Sequence, residues 1–245
     1  SSASSLSELL RAQDSGSQTC MVFTPRIGLF ELFSSSELLS LHSATLNLLE
    51  RVGVFVEDEA ALKLLSGAGA HVDAPSKVAK IPSSLVEESI KKAPRTVRLA
   101  GRGVGIELTA KRVHFGLGGG ALNMLDLEGG ALRAGCKRDV MQAARLGDAL
   151  PNVDFIMSLT CSVDTPHQLM PLHDFDAMIR NTQKPIVMLD YGPDVRELIR
   201  MGEAVVGKGN LTKEPIICLY SEPLSPLKHV KRHLRNVLAF ARVGL

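Results

Sequence analysis

Residues 112–126 read RVHFGLGGGALNMLD, and this stretch decides how the second half of the chain is interpreted. A short run of β-forming residues, Val113 to Leu117, leads directly into the glycine triplet Gly118, Gly119 and Gly120. Glycine at a strand end gives up side-chain packing and conformational entropy, so three together need a reason. Either another group approaches the backbone closely there, or the chain bends tightly. The stretch alone slightly favours the bend, because it lacks the Gly-Lys-Ser/Thr ending of a phosphate-binding loop.

Beyond this stretch, apolar segments alternate with helical patterns at a regular spacing. Strands are predicted to begin near residues 154, 185 and 215, which are 31 and 30 residues apart. Helices are predicted over residues 137–150, about 168–180, about 194–206 and about 227–242. This alternation indicates βαβ units and a parallel sheet. An open doubly wound sheet and a (β/α)8 barrel both satisfy the pattern.

The first 110 residues do not show this regular alternation of strands and helices. A serine-rich arm over residues 1–24 precedes an α+β region, in which helices are predicted to begin after Ser34–Ser36, at Glu57–Asp58 and at Ser83–Ser84. Short strands are predicted around residues 72, 78–81, 97–99 and 104–108. We therefore divide the chain into an N-terminal arm and α+β region, residues 1–110, and four βα units, residues 111–245.

The length of the second region bears on the choice of fold. Val113 to Leu245 comprise 133 residues, whereas a complete (β/α)8 barrel needs about 250. On the barrel interpretation, the chain holds only about the first half of a TIM-type α/β barrel. An open half-barrel exposes strand edges and an apolar face, so we expect that the chain forms homo-oligomers or is a fragment. A stable monomer in light scattering would count against this expectation.

Composition excludes several classes of function. The 245 residues are 45% hydrophobic with a net charge of +2, which gives no electrostatic reason to expect nucleic-acid binding. No apolar run approaches the roughly 18 residues that a membrane span needs, and the N-terminus lacks a signal-peptide pattern. The four cysteines form no C-x-x-C pair, which predicts neither a zinc site nor a redox motif. Isolated thiols are typical of a reducing compartment, so cytoplasm is expected.

The candidate site is found at the carboxyl ends of the predicted parallel strands, where such folds place their working surface. The two tyrosines of the chain, Tyr191 and Tyr220, both fall at strand ends, beside Asp190 and near Glu222 respectively. An aromatic face with an adjacent carboxylate is what an alkylated ammonium ion selects. Ordinary packing at the rim is the competing interpretation. With Gly118–Gly120, these are the predicted binding residues, and no catalytic residue is assigned.

Two histidines raise the question of a metal site. His229 and His233 are four residues apart on the predicted last helix. The pair lacks the glutamate of an H-E-x-x-H motif and is surrounded by Lys228, Lys231 and Arg232, which would repel a divalent ion. We therefore interpret this segment as a solvated basic helix face and predict no metal site.

Five segments, in order along the chain, resemble the trimethylamine methyltransferase family. They are LLSLHSATLNLLERVGVFVEDEAALKLLSGAGAHVD (residues 38–73), VHFGLGGGALNMLDLEGG (113–130), NVDFIMSLTCSVDTP (152–166), RNTQKPIV (180–187) and YSEPLSPLKH (220–229). The resemblance implies a (β/α)8 barrel with an added N-terminal region. It also implies transfer of a methyl group from a methylated amine, such as trimethylamine or glycine betaine, to the cobalt of a corrinoid carried by a partner protein. No covalently bound cofactor is expected on the chain itself.

On this resemblance, a quaternary or protonated tertiary amine would lie against Tyr191 and Tyr220, with the charges of Asp190 and Glu222 nearby. The glycine triplet would leave room for the flat corrinoid, and alignment of the methyl group rather than acid–base chemistry would dominate. Members of the family are about twice as long as this chain, and the essential pyrrolysine of the trimethylamine-specific members would lie beyond Leu245.

Two other hypotheses compete with this one. The chain could be a truncated, non-catalytic relative that binds a corrinoid protein or oligomerises. Alternatively, it could be a phosphate-binding barrel enzyme such as an aldolase, using the glycine-rich loop. The aldolase hypothesis predicts a Schiff-base lysine or a phosphate site at a strand end, and no lysine occupies the strand-end positions named here.

Overall fold

A computed structural model describes residues 32–110, 112–191 and 195–245. The chain divides into two compact units, Ser1–Leu41 and His42–Leu245. The predicted arm, residues 1–24, lies outside the described residues. In the described part of the first unit, the Glu37 carboxylate accepts a hydrogen bond from the Ser34 backbone N–H at 2.8 Å, as expected at a helix start.

The described residues form seven helices and ten short strands. The helices are α1 (Ser35–Arg51), α2 (Glu59–Gly67), α3 (Ser83–Lys92), α4 (Lys137–Ala149), α5 (Met170–Ile179), α6 (Arg196–Val206) and α7 (Lys231–Arg242). The strands are β1 (Val54–Val56), β2 (His71–Asp73), β3 (Val78–Lys80), β4 (Val97–Leu99), β5 (Ile106–Leu108), β6 (Asn123–Leu125), β7 (Leu132–Ala134), β8 (Ile186–Leu189), β9 (Ile217–Tyr220) and β10 (Lys228–His229).

The predicted helices of the N-terminal region are confirmed, and their ends follow local chemistry. Helix α1 ends just before Gly53, which has φ +81°. Helix α2 begins after Asp58, whose carboxylate accepts the backbone N–H groups of Ala60 and Ala61 at 2.9 and 3.2 Å. The predicted capping of α3 by its serines is wrong. Pro82 occupies the cap position without a side-chain hydrogen bond, and the Ser83 hydroxyl instead donates to Glu50 at 2.6 Å.

A four-stranded sheet in the order β10-β1-β3-β2 organises part of this region. Strands β1, β2 and β3 pair antiparallel, whereas β10 pairs parallel to β1, with Phe55 opposite Lys228. The predicted start of the last helix near Leu227 is therefore wrong. The two residues of β10 form a strand because β1 offers them a free edge. The local sequence pattern could not predict this pairing, because β1 lies more than 170 residues earlier in the chain. Helix α7 begins only at Lys231.

Four chain segments run parallel in sequence order through the second half of the chain. The first two are joined by bridges from Gly116 to Phe155 and from Ala121 to Thr160. The second joins β8 through Ile156 and Ile186, and β8 pairs with β9 over its whole length. The predicted mixture of helices and strands with parallel pairing is thereby confirmed. The predicted strands near residues 113 and 154 take part only through isolated bridges, and the described residues contain no closed barrel.

One core cluster joins these parallel segments to the helices between them. Among its fully buried members are Ile156, Phe175, Met178, Ile186, Met188 and Ile217. Burying apolar area of this kind supplies the main stabilisation of the layer. Val187 and Leu189 alternate with the buried residues of β8 and are only half-buried, so they face away from this core.

The side chain of Leu189 reaches from the third parallel segment to the first. A Cβ atom placed on Gly119, in the first segment, would lie 2.9 Å from Leu189 Cδ1, in the third. In a flat sheet these two backbones would be about 9.5 Å apart, because neighbouring strands are spaced by about 4.8 Å. The glycine triplet therefore lies closer to Leu189 than a flat sheet would place it.

The apolar run after the glycine triplet forms a hairpin rather than a single strand. Residues of β6 and β7 pair antiparallel, with Leu125 opposite Leu132. The turn contains Glu128, Gly129 and Gly130, and Gly130 has φ +64°. Leu122, Leu125, Leu127 and Leu132 are 63 to 100% exposed, so this hairpin presents a leucine-rich surface. The described residues include no helix long and apolar enough to cross a membrane.

Candidate functional site

The predicted site residues are distributed along one edge of the parallel sheet. Leu189 is paired with Tyr220 in register, and the backbone N–H of Asp190 donates to the Tyr220 carbonyl at 3.0 Å. Asp190 and Tyr220 are therefore brought together at the carboxyl ends of neighbouring strands. This is the edge at which parallel α/β folds place their ligands.

The glycine triplet lies in the first parallel segment, between the bridging residues Gly116 and Ala121, and its members differ. Gly120 has φ +82°, a left-handed conformation that side chains disfavour. A Cβ atom on Gly119 would meet Leu189, whereas one on Gly118 would have no heavy atom within 4 Å. An added side chain would thus meet open space at Gly118, whereas Leu189 and Met157 occupy the space beside Gly119.

Tyr191 is tied to helix α5 rather than to Tyr220. Its hydroxyl donates to the carboxylate of Asp174, and no hydrogen bond joins the two tyrosines within the described part of the chain. Asp174 is fully buried in α5 and also accepts hydrogen bonds from the Ser162 hydroxyl and, at 3.0 Å, from the Ser162 backbone N–H. We name Ser162, Asp174 and Tyr191 the tyrosine anchor.

Burial and neighbouring charges shift the pKa values of these groups. Burial raises the pKa of Asp174, against the opposing effect of the hydrogen bonds from Ser162 and Tyr191. Burial, together with the nearby Asp174 carboxylate, raises the pKa of Tyr191 well above its usual range. Burial and the same carboxylate also raise the pKa of Cys161. A phenol and a thiol held in this way stay neutral, which disfavours Cys161 as a nucleophile.

Asp190 is held at its strand end by two polar side chains. Its carboxylate accepts from the Ser221 hydroxyl and from the Asn236 side-chain amide, each at 2.6 Å. Tyr220 next to it is 48% exposed. Glu222, two residues further on, is also exposed, and its backbone carbonyl accepts a hydrogen bond from His233 Nδ1 at 2.8 Å. Tyr220 and Glu222 are thus accessible, whereas Asp190 is already engaged.

Sequence reasoning missed the anchor residues Asp174 and Ser162. Asp174 lies in the helical segment MPLHDFDAMI, where a carboxylate on the apolar face is out of place. That mismatch was the available signal, but only the fold shows that Ser162 and Tyr191 meet it. Ser162 lies just beyond the apolar run that precedes Thr160, at the end of a predicted strand.

A second polar cluster joins the hairpin to helix α4. Arg133 donates to both carboxylate oxygens of Asp139, at 2.6 and 2.8 Å, and the backbone N–H of Cys136 donates to the same carboxylate at 2.9 Å. Hydrogen bonds from Arg133 hold the pKa of Asp139 far below its usual range. A cleft of about 750 Å³ between hairpin and helix is lined by these residues and by Leu125, Leu127 and Leu146.

The histidine pair of the sequence does not form a site. His229 belongs to β10 and His233 to α7, so the two are not one turn apart on a helix. Among the residues that the structure describes, no group of three or more histidine, cysteine, aspartate or glutamate side chains has the arrangement of a metal centre. Cys136, Cys161 and Cys218 are free thiols.

Comparison with known proteins gives the family of the chain. The family model for trimethylamine methyltransferase (MTTB) matches residues 4–245. The chain belongs to the trimethylamine methyltransferase family. The match includes every strand end described above.

Individual members of the trimethylamine methyltransferase family agree with this assignment. The chain is 32% identical over 217 residues to trimethylamine methyltransferase MttB of Desulfitobacterium hafniense, covering 87% of this chain and 44% of the relative. It is 27% identical over 223 residues to MttB of Methanosarcina thermophila, covering 87% of this chain and 46% of the relative. It is 23% identical over 220 residues to a glycine betaine methyltransferase of D. hafniense, covering 88% and 45%. The chain thus spans less than half the length of these relatives.

Proposed function

We propose that the protein to which these residues belong transfers a methyl group from a methylated amine to the cobalt of a corrinoid carried by a partner protein. The amine is trimethylamine, glycine betaine or a similar quaternary amine. The observation that carries this proposal is the family match over residues 4–245. Relatives named for two different methylated amines, trimethylamine and glycine betaine, support the class of substrate.

The order and direction of the parallel segments support a barrel as the complete fold. Parallel segments that follow one another in sequence order, with Leu189 reaching Gly119, are what the first half of a (β/α)8 barrel would contain. The division at residue 110 then separates the N-terminal arm and α+β region from the four βα units. Further strands would cover the face that carries Leu189 and Met157, which is apolar.

The amine would bind at the carboxyl ends of the strands. A quaternary ammonium ion has no N–H to donate, so aromatic faces and nearby negative charge are the means of recognising it. Tyr220 supplies an accessible ring and Glu222 an accessible carboxylate, while Tyr191 and Asp190 supply a second ring and a second charge on the neighbouring strand. The open space beside Gly118, with Gly119 and Gly120 next to it, lets the methyl acceptor approach the backbone closely.

A second candidate is a truncated, non-catalytic relative that binds a corrinoid protein or oligomerises. The exposed leucines of the β6–β7 hairpin favour this candidate, because an apolar surface of that kind marks an interface more often than a catalytic site. Free thiols at Cys136, Cys161 and Cys218 agree with a reducing compartment, and we propose the cytoplasm.

Two measurements separate the two candidates: the intact mass of the protein, which shows whether it is truncated, and a methylation assay. The protein is incubated with cob(I)alamin and, in turn, trimethylamine, glycine betaine, tetramethylammonium or no amine, and formation of methylcob(III)alamin is followed by its absorbance. A methyltransferase converts the cobalt with at least one amine and not without amine. Binding to a corrinoid protein without methyl transfer from any amine would favour the non-catalytic candidate.

A further inference from the structure

Asp174 stands out because a fully buried carboxylate in an apolar core is costly. Its neighbours Phe175, Ala177 and Met178 belong to the core cluster between helices and parallel strands. A buried charge that no cation neutralises is stable only if hydrogen bonds replace water. Among the described residues, no lysine or arginine forms an ion pair with Asp174, and its partners are the hydroxyl and N–H of Ser162 and the hydroxyl of Tyr191.

The three members of the anchor come from three different elements. Ser162 follows the second parallel segment, Asp174 lies in α5, and Tyr191 follows β8. Ser162 holds one oxygen of Asp174 through both its N–H and its hydroxyl, and this leaves the other oxygen for Tyr191. The phenol oxygen is therefore fixed by a carboxylate that is itself fixed, and the rotamer of the ring is set by the fold.

We propose that Asp174 is a positioning residue, which holds the Tyr191 ring in place at the strand end and makes it a better partner for a quaternary ammonium ion. The second effect follows from the hydrogen bond. A phenol that donates to a carboxylate carries more negative charge on its oxygen and ring, and this strengthens its attraction for a cation. The inference rests on the proposed function for the role of Tyr191, but the anchor itself does not.

Other ionisable groups around Asp174 determine how it responds to pH. Cys161 is buried beside it, and His173, the preceding residue of α5, also acts on it electrostatically. His173 in turn accepts a hydrogen bond at 3.2 Å from Lys137 Nζ, which also pairs with Asp176 at 2.7 Å. Asp176, two residues along the same helix, makes no hydrogen bond with Tyr191 or Ser162 among the described residues and serves as the matched control.

The first test measures binding of tetramethylammonium chloride by isothermal titration calorimetry. Tyr191→Phe keeps the ring and removes the hydroxyl, and Asp174→Asn keeps the shape and removes the charge. Each is expected to weaken binding by about threefold to tenfold, and the double variant by no more than the stronger single, because both remove one interaction. Asp176→Asn is expected to bind like the wild type. Additive losses in the double variant would overturn the coupling.

A second measurement tests the tyrosine anchor in the absence of any amine. The chain has two tyrosines and no tryptophan, so in a Tyr220→Phe background the ultraviolet absorbance titration reports Tyr191 alone. Adding Asp174→Asn is expected to lower the pH at which Tyr191 ionises, because the carboxylate that opposes phenolate formation is gone. Asp176→Asn is expected to leave that titration unchanged. Identical titrations for the two variants would overturn the inference.

The two measurements also separate failure of the anchor from failure of the proposed function. If the wild-type protein binds no quaternary ammonium ion while Asp174→Asn shifts the Tyr191 titration, the proposed amine site is wrong and so is the role of Asp174 in binding. If Asp174→Asn does not fold, Ser162→Ala replaces it in both measurements. That variant removes one of the two Ser162 hydrogen bonds to Asp174, so it is expected to weaken tetramethylammonium binding by less than Asp174→Asn does. Because the carboxylate stays in place with one donor fewer, Tyr191 is expected to ionise at the same or a higher pH, and a fall in that pH would overturn the inference.

Discussion

Replacing Asp139 by asparagine should destabilise the hairpin–helix junction. The Asp139 carboxylate is 7% exposed and accepts two hydrogen bonds from Arg133 and one from the Cys136 backbone. Hydrogen bonds to a charged group contribute about 1.5–3 kcal/mol, and a helix cap contributes about 1 kcal/mol. The Arg133 side chain is 40% exposed and returns to water in the variant, so the loss is discounted to about 2 kcal/mol.

Urea denaturation followed by circular dichroism measures this loss. With a denaturant slope of about 3 kcal/mol per molar, the midpoint should fall by about 0.7 M. Asp126→Asn is the matched control, because Asp126 pairs with the same guanidinium at 3.5 Å from a more exposed position, and its midpoint should hardly change. Equal midpoints for Asp139→Asn and the wild type, or equal losses in both variants, would refute the reasoning.

The ion pair between Asp139 and Arg133 predicts the direction in which stability changes with pH. Asp139 has a lower pKa in the folded protein than in the unfolded chain. Its contribution to the free energy of unfolding is therefore complete above its pKa in the unfolded chain, about 4. It is lost as the pH falls toward the folded value. The difference in stability between wild type and Asp139→Asn should therefore be constant above about pH 5 and should shrink at lower pH.

Three further substitutions follow from the structure. Gly116→Ala would place a Cβ atom 2.3 Å from Phe155 Cε2 and should cost about 1–3 kcal/mol in urea unfolding, whereas Gly129→Ala, with no atom within 4 Å, should be tolerated. Ile156→Ala removes a fully buried side chain and should cost about 2–5 kcal/mol in the same assay. Tyr220→Leu should weaken tetramethylammonium binding in calorimetry by about threefold to thirtyfold, whereas Tyr220→Phe should keep most of the affinity.

The sequence predicts well what depends on local pattern. Helix α1 follows from its leucine spacing and from Gly53, and helix α2 follows from the Asp58 cap, because both depend on neighbours within a few residues. The parallel arrangement also follows, because strands at 31- and 30-residue intervals need helical crossovers between them. The family resemblance seen in short segments is confirmed over residues 4–245.

What depends on distant neighbours is not predictable in this way. Lys228 and His229 form a strand only because Phe55 and Val56 offer a free edge, and the return strand β7 exists only because β6 precedes it. The role of Asp174 likewise depends on Ser162 and Tyr191, 12 and 17 residues away. The seven predicted binding residues remain predictions, although the structure places Asp190 and Tyr220 side by side.

The most direct test of the amine site follows both tyrosine rings during titration with a ligand. Protein carrying ¹³C-labelled tyrosine gives ring signals from Tyr191 and Tyr220 only, and these are assigned with Tyr191→Phe and Tyr220→Phe. Both signals should shift on addition of glycine betaine or tetramethylammonium with the same saturation curve, and neither should shift with the neutral isostere 3,3-dimethyl-1-butanol. Ring signals that do not move with either cation, or that move equally with the neutral compound, would contradict the proposal that a methylated ammonium ion binds at these strand ends.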